Sequence, residues 1–267
     1  MGRLMGISVH SRAWRAIILA CGLAWLGPAA GLKADTLNSS AADAAVKTAE
    51  PFGLSASPVQ DGGLYRKWLG VQRRLDDELV QLALCDGDRD GCVSPAALKF
   101  LAIVDAARAR EGRARFGEIN RAVNLAVRTL SDIAQHGEID VWSSPLVTFA
   151  TGAGDCEDYA IAKLVALRLA GIPQEDLRIV IMHDLVRSED HAVAAARLEG
   201  QWLMLDNRRM AMVEDVNIRN NRPTFVIDRD GVWRYEAAPL LAGQPERRPP
   251  TVALNTAAQS GAVSLVY

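Results

Sequence analysis

The chain has 267 residues, of which 49% are hydrophobic, enough for one well-packed core or at most two small domains. Charged residues make up 23% and the formal net charge is -2, so no strongly basic face is implied and no nucleic-acid partner is expected.

Residues 1–34 read as a secretory signal peptide: Arg12 and Arg15 precede an apolar run from Ala16 to Leu26, and the small residues Ala29, Ala30 and Gly31 follow. That run is too short to span a bilayer comfortably, so export to the periplasm without stable membrane insertion is expected, with cleavage near Ala30 to Ala34. Residues 35–61, rich in Ala, Ser and Thr, read as a flexible linker. A folded domain is then expected over 62–236. From 237 to 267 periodicity is lost, and Pro and Ala are frequent, as in a disordered tail.

Within the domain, apolar residues at helical spacing predict a helix over Tyr65 to Leu84. A second opens at Ser94 as N-cap with Pro95 in the first turn, and a third is predicted over Gly117 to Ala134. Between the first two, Asp86-Gly87-Asp88-Arg89-Asp90-Gly91 matches half of an EF-hand loop. Ala97 stands at the twelfth position, where the bidentate Glu belongs, so a solvated loop is expected rather than a calcium site. That loop can fold back to bring Cys85 to Cys92, although spacing does not settle the geometry of a disulfide. Pairing them would leave Cys156 alone, once Cys21 departs with the signal. An odd thiol in an oxidising compartment points to reactivity.

A fourth helix follows Gly152-Ala153-Gly154-Asp155 directly. Cys156 therefore sits at a helix N-terminus, where free N–H groups and the helix dipole favour a thiolate. After Gly171-Ile172-Pro173 the period changes to that of strands: Leu177 to Met182, His191 to Leu198, Trp202 to Leu205, Thr224 to Ile227 and Val232 to Tyr235. Helices first and strands second argue for an α+β domain on an antiparallel sheet.

Four histidines are present. His10 leaves with the signal, and His136 lies in a polar turn beside Gly137. Of His183 and His191, the strand pattern favours His191. If Glu199-Gly200 is a two-residue turn, Val193 faces Asp206, and His191 lies two residues along on the same face. Asp206 can then hold one imidazole nitrogen and leave the other to Cys156, the arrangement of a nucleophile, a base and an orienting acid. The plainer alternatives are a structural cysteine, a satisfied core histidine and a turn aspartate.

Gly154-Asp155-Cys156-Glu157-Asp158-Tyr159-Ala160, preceded by Trp142-Ser143-Ser144-Pro145, resembles the bacterial transglutaminase-like cysteine proteinases, and more narrowly the LapG-type periplasmic proteases. Gly171-Ile172-Pro173, His191-Ala192-Val193 and Leu205-Asp206-Asn207 agree. The resemblance covers roughly residues 62–236. It implies a papain/transglutaminase-like core with Cys156, His191 and Asp206 as catalytic residues. It also implies calcium beside the nucleophile, held by Asp155, Glu157 and Asp158; the alternative is that these are acids favoured by the helix dipole. The implied substrate is the N-terminal region of a large RTX-type surface adhesin, whose release promotes biofilm dispersal. The implied partner is an inner-membrane cyclic di-GMP receptor of the LapD type. The family often has an acidic residue shortly after its Trp-x-x-Pro block, where this chain has Leu146 and Val147. A transglutaminase-like acyltransferase and a non-catalytic calcium-binding module are the alternatives.

Overall fold

A computed structural model describes residues 49–236. The expected signal, the tail and the first part of the expected linker lie outside them. The order of elements is an edge strand, a helical half and then the rest of an antiparallel sheet, an α+β fold.

The helices form where the apolar spacing places them. Helix α1 (Gly63–Gly87) buries Trp68, Val71, Leu75, Leu82 and Cys85 along one stripe, while Leu69 and Val80 stay at the surface. Helix α2 (Pro95–Arg108) starts as expected: the Ala97 N–H donates to Ser94 Oγ at 3.2 Å, with Pro95 at the first position. Cys85 and Cys92 form a disulfide that closes the loop between α1 and α2.

Helix α3 (Gly112–Ala126) begins earlier and ends sooner than the periodicity predicts. Val127, Leu130 and Ile133 continue the apolar period. The chain nevertheless leaves the helix to form a two-residue strand β2 (Arg128–Thr129), then the short helix α4 (Asp132–His136). Tertiary pairing overrides local pattern here. Strand β2 lies parallel to β3 (Ala153–Gly154), with Arg128 N–H on Gly152 O and Leu130 N–H on Gly154 O, each at 3.0 Å. Between them runs helix α5 (Pro145–Thr151), and β3 leads straight into α6 (Cys156–Leu169).

The sheet contains β1 (Ala56–Val59), β4 (Leu177–Asp184), β5 (Glu189–Leu198), β6 (Gln201–Leu205), β7 (Val213–Glu214), β8 (Asn221–Asp228) and β9 (Gly231–Tyr235). Their order is β1-β9-β8-β4-β5-β6-β7, antiparallel throughout. Both faces are covered, which is why β5 reads as a continuous small apolar run. Ala192, Ala194 and Ala196 face the helices, and their lack of bulk lets α6 pack close through Ala160, Ala162 and Ala166. Val193 and Ala195 face the other way, onto Val180, Met204 and Trp202.

The linker expected over 35–61 is corrected from residue 49 onward. Ala56–Val59 is an edge strand paired with β9, and Phe52 and Leu54 pack on the outer face of the sheet. Glu50 anchors this segment, accepting from Arg178 Nε at 2.6 Å and Nη2 at 3.0 Å in a buried bidentate pair. Four residues including Pro58 are too short to show alternation, and a proline is tolerated in a strand at the sheet edge.

Candidate active site

The β2–β3 pairing and the two glycines shape the turn that presents Cys156. Gly152 ends α5 at φ 66°, in the left-handed region that glycine enters without steric cost. Gly154 is needed for a different reason. A Cβ there would come within 2.7 Å of Asp158 Oδ2 and 2.8 Å of Asp158 Cβ. Asp158 lies inside the turn because its Oδ1 accepts from the Ser143 N–H at 2.7 Å, tying the Trp142-Ser143-Ser144-Pro145 block to the start of α6. Glu78 of α1 completes the tie by accepting from Ser144 Oγ and from the Leu146 N–H.

Cys156 is the first residue of α6, half-buried, and the single free cysteine among the described residues. It shares a cleft of about 670 Å³ with His191, Asp155, Glu157, Asp132 and Trp142. Its thiol donates to Glu157 Oε2 at 3.1 Å and is not hydrogen-bonded to His191. Position at a helix N-terminus leads one to expect a depressed thiol pKa. Burial instead pushes it well up, and the Glu157 charge adds to that, against a backbone contact at Ala192 that pulls it down.

His191 is 3% exposed on β5. Its Nε2 meets Asp206 Oδ1 at 2.9 Å, and its Nδ1 is buried with no hydrogen-bond partner. The expected two-residue turn is present, with Glu199 and Gly200 at φ 51° and 84°. The Ala194–Leu205 pair then puts Asp206 one step past β6 on the face of His191. Burial pushes the Asp206 carboxyl up, but the hydrogen bond and charge of His191, the Arg208 N–H and Lys163 together hold it below its ordinary value. The other candidate base, His183, is bound by Asp190 at 2.9 Å and does not line the cleft. His136 is exposed at the end of α4.

Three carboxylates meet beside the nucleophile. Asp132, Asp155 and Glu157 each offer an oxygen, all within 4.8 Å of one another. Asp155 Oδ1 is buried with no partner. Burial pushes Glu157 up to about 9, with the hydrogen bond and charge of Asp155 adding to it. Burial raises Asp155 as well, and the charges of Asp132 and Asp140 contribute. Crowded hard oxygen donors with an unsatisfied buried oxygen are the donor set a divalent cation fits. Asp155 and Glu157 are the residues that the sequence pointed to. Asp158 lies beside this set but outside it, on Ser143, and burial raises its carboxyl to about 7. Asp132 was missed, since it stands 23 positions before Asp155 and only the β2–β3 pairing brings the two together. Asp86 pairs with Arg89 and Arg108, Asp88 accepts from the Gly91 N–H, and neither is in a metal-competent group among the described residues.

Two further contributions had no sequence signal. Asn120 and Asn124 of α3 donate to the carbonyls of Asp206, Arg209 and Met210, each at 3.0 Å, and hold the loop that carries Asp206. Lys163 of α6 is fully buried and donates to Leu205 O at 3.0 Å.

A cysteine at the N-terminus of a core helix, beside a histidine and aspartate on an antiparallel sheet, defines the papain/transglutaminase-like class of cysteine enzymes. The chain belongs to the bacterial transglutaminase-like cysteine proteinase family, whose model matches residues 82–221. Among solved structures it is similar to LapG of Legionella pneumophila, at 22% identity and a TM-score of 0.48, over 58% of this chain and 85% of that one. The calcium-bound form of that protein matches at 23% and 0.47, over 54% and 82%. Its EGTA-treated form matches at 22% and 0.49, over 59% and 84%. No curated protein matches.

Proposed function

We propose that this chain is a periplasmic, calcium-dependent cysteine endopeptidase. Its substrate is the N-terminal region of a large RTX-type surface adhesin, and cleavage releases the adhesin and promotes biofilm dispersal. One observation carries the catalytic reading: the buried, unpartnered Nδ1 of His191, next in sequence to the backbone that the Cys156 sulfur contacts, while Asp206 occupies Nε2. On that reading His191 Nδ1 takes the thiol proton and the sulfur attacks a peptide carbonyl, forming a C–S bond. The C–N bond breaks as His191 returns the proton to the leaving amine. Water, deprotonated by the same nitrogen, then releases the acid and restores the thiol. On the same reading, N–H groups at the start of α6 receive the oxyanion. The absence of a Cys156–His191 hydrogen bond in the resting state accords with this, because such hydrogen bonds form or tighten when substrate binds.

Asp132, Asp155 and Glu157 are the residues proposed to hold calcium, with Asp158 supporting the turn behind them. A bound divalent cation supplies positive charge that lets these carboxylates remain ionised beside Cys156. The Legionella LapG structure exists in calcium-bound form, which supports the choice of ion. An inner-membrane cyclic di-GMP receptor of the LapD type is the proposed partner, sequestering the enzyme from its substrate.

The test is proteolysis of a co-encoded adhesin's N-terminal fragment by wild type, by Cys156→Ala, and by wild type with a chelator. Cleavage by untreated wild type alone, regained on adding calcium, is the expected result. Cleavage by Cys156→Ala overturns the nucleophile, and cleavage that persists once the ion is stripped removes calcium. Transfer of an added amine to the new C-terminus, read by mass spectrometry, would make the enzyme an acyltransferase.

A further inference from the structure

We infer that Lys163 is a positioning residue of the catalytic set, anchored on the Leu205 carbonyl so that its charge holds Asp206 in place for His191. The inference rests on the reading of Cys156, His191 and Asp206 given above.

Lys163 is two turns along α6 from Cys156, on the helix that presents the nucleophile. Its side chain is among the largest that are fully buried, in company with Trp68, Phe100 and Ile161. A methionine would fill the same volume without a polar atom, and an unpaired buried charge is costly. The geometry shows where that cost is offset. The Nζ donates at 3.0 Å to Leu205 O, the last carbonyl of β6, one residue before Asp206. The Asp206 carboxylate attracts the ammonium, and Nζ lies 5.7 Å from the centroid of the Tyr159 ring. Tyr159 is itself fixed through its hydroxyl to Val127 O. Burial lowers the lysine to about 7 while Asp206 pulls it the other way. Amine and ammonium both donate to a carbonyl, so the anchor survives deprotonation and the charge does not.

Lys163 thus joins the two halves of the site through one atom. It fixes the end of β6 relative to α6, and its charge attracts the Asp206 carboxylate. Asp206 is then ionised and held, so the His191 proton stays on Nε2 and Nδ1 remains the acceptor that the thiol requires. A displaced support of this kind lowers reactivity without touching the reacting atoms.

The test uses the full chain with calcium supplied and reads the site in two ways. Two-bond ¹⁵N NMR, with His191 assigned through His191→Gln, reports the tautomer. The alkylation rate of Cys156 by iodoacetamide at pH 7, followed by peptide mass spectrometry, reports thiol activation. In wild type the proton is expected on Nε2. Lys163→Met is expected to stay folded, to show mixed tautomers at His191, and to alkylate about tenfold to a hundredfold more slowly. Asp206→Asn is expected to slow alkylation similarly, and the double variant no further, because both act on one imidazole. An unchanged tautomer and rate in folded Lys163→Met overturns the inference, and so does a double variant whose losses multiply. Should Lys163→Met not fold, Lys163→Gln keeps a donor group without the charge and is read in the same way. If Asp206→Asn itself changes neither readout, the role of Asp206 falls and the inference falls with it. An effect of Asp206→Asn with none from Lys163→Met removes Lys163 alone.

Discussion

Asp206, one step beyond the last pairing of β5 with β6, meets His191, three steps beyond it on β5, Nε2 to Oδ1 at 2.9 Å, and the other ring nitrogen of His191 is left buried and free. The hairpin register decides this contact, because a slip of one residue would turn both side chains to opposite faces. Asp206→Asn keeps the shape but offers an amide where the imidazole N–H needs an acceptor. On the adhesin fragment kcat is expected to fall by about 10²- to 10⁴-fold with KM little changed, measured by initial rates. A loss confined to KM would place Asp206 in substrate binding.

The metal assignment separates two neighbouring acids. Asp132→Asn removes a charge from the three-carboxylate group, whereas Asp158→Asn retains an oxygen for the Ser143 N–H and lies outside that group. Titration calorimetry with calcium is expected to show Asp132→Asn weakened by about tenfold or more, with Asp158→Asn much less affected. The reverse order would return the site to the Asp155, Glu157 and Asp158 set expected from the sequence.

Gly154 carries a steric requirement. An alanine there would meet Asp158 at 2.7 Å, and Asp158 cannot retreat without releasing Ser143. Gly154→Ala is expected to destabilise the fold by about 1–3 kcal/mol in urea denaturation and to lower activity, since the displaced turn carries Cys156. Full activity with unchanged stability would show that the turn relaxes freely.

The Cys85–Cys92 disulfide closes a short loop well outside the cleft. Replacing both cysteines with alanine is expected to cost about 2–3 kcal/mol of stability by the loop-closure relation, while turnover at moderate temperature stays within about twofold. A large loss of turnover in the folded variant would connect this loop to the site.

Lys163 gives the pH dependence of stability a distinct component. Its folded value, about 7, lies below its ordinary 10.5, so between these the unfolded chain binds a proton that the folded chain lacks. Wild-type stability therefore gains with rising pH across that window relative to Lys163→Met, and below it the full burial cost remains. The advantage of Lys163→Met is expected to be largest near pH 6 and to shrink by about 2–4 kcal/mol toward pH 10, in urea denaturation at both ends. A difference that does not vary with pH would mean that Lys163 titrates normally.

Local pattern alone determined much of this protein. The apolar spacing marked α1, α2 and α6, the Ser94-Pro95 pair set the start of α2, and short apolar runs placed β4, β5, β6, β8 and β9, though not β7. The turn at Glu199-Gly200 fixed a register from which the His191–Asp206 contact could be read, because side chains on a strand repeat every two residues. Tertiary structure decided what depends on distant segments. Val127 to Thr129 left a helical pattern to pair with Ala153 and Gly154, and Ala56–Val59 left an irregular stretch to cap the sheet edge. Asp132 joined Asp155 and Glu157 through the first of these pairings. Lys163 anchored on the Leu205 carbonyl, and a thiol pushed up by burial and Glu157 rather than down by its helix, follow from packing and from local charge. Neither has a period or a motif in the sequence, since the anchor of Lys163 and the burial of Cys156 depend on groups brought together across the core.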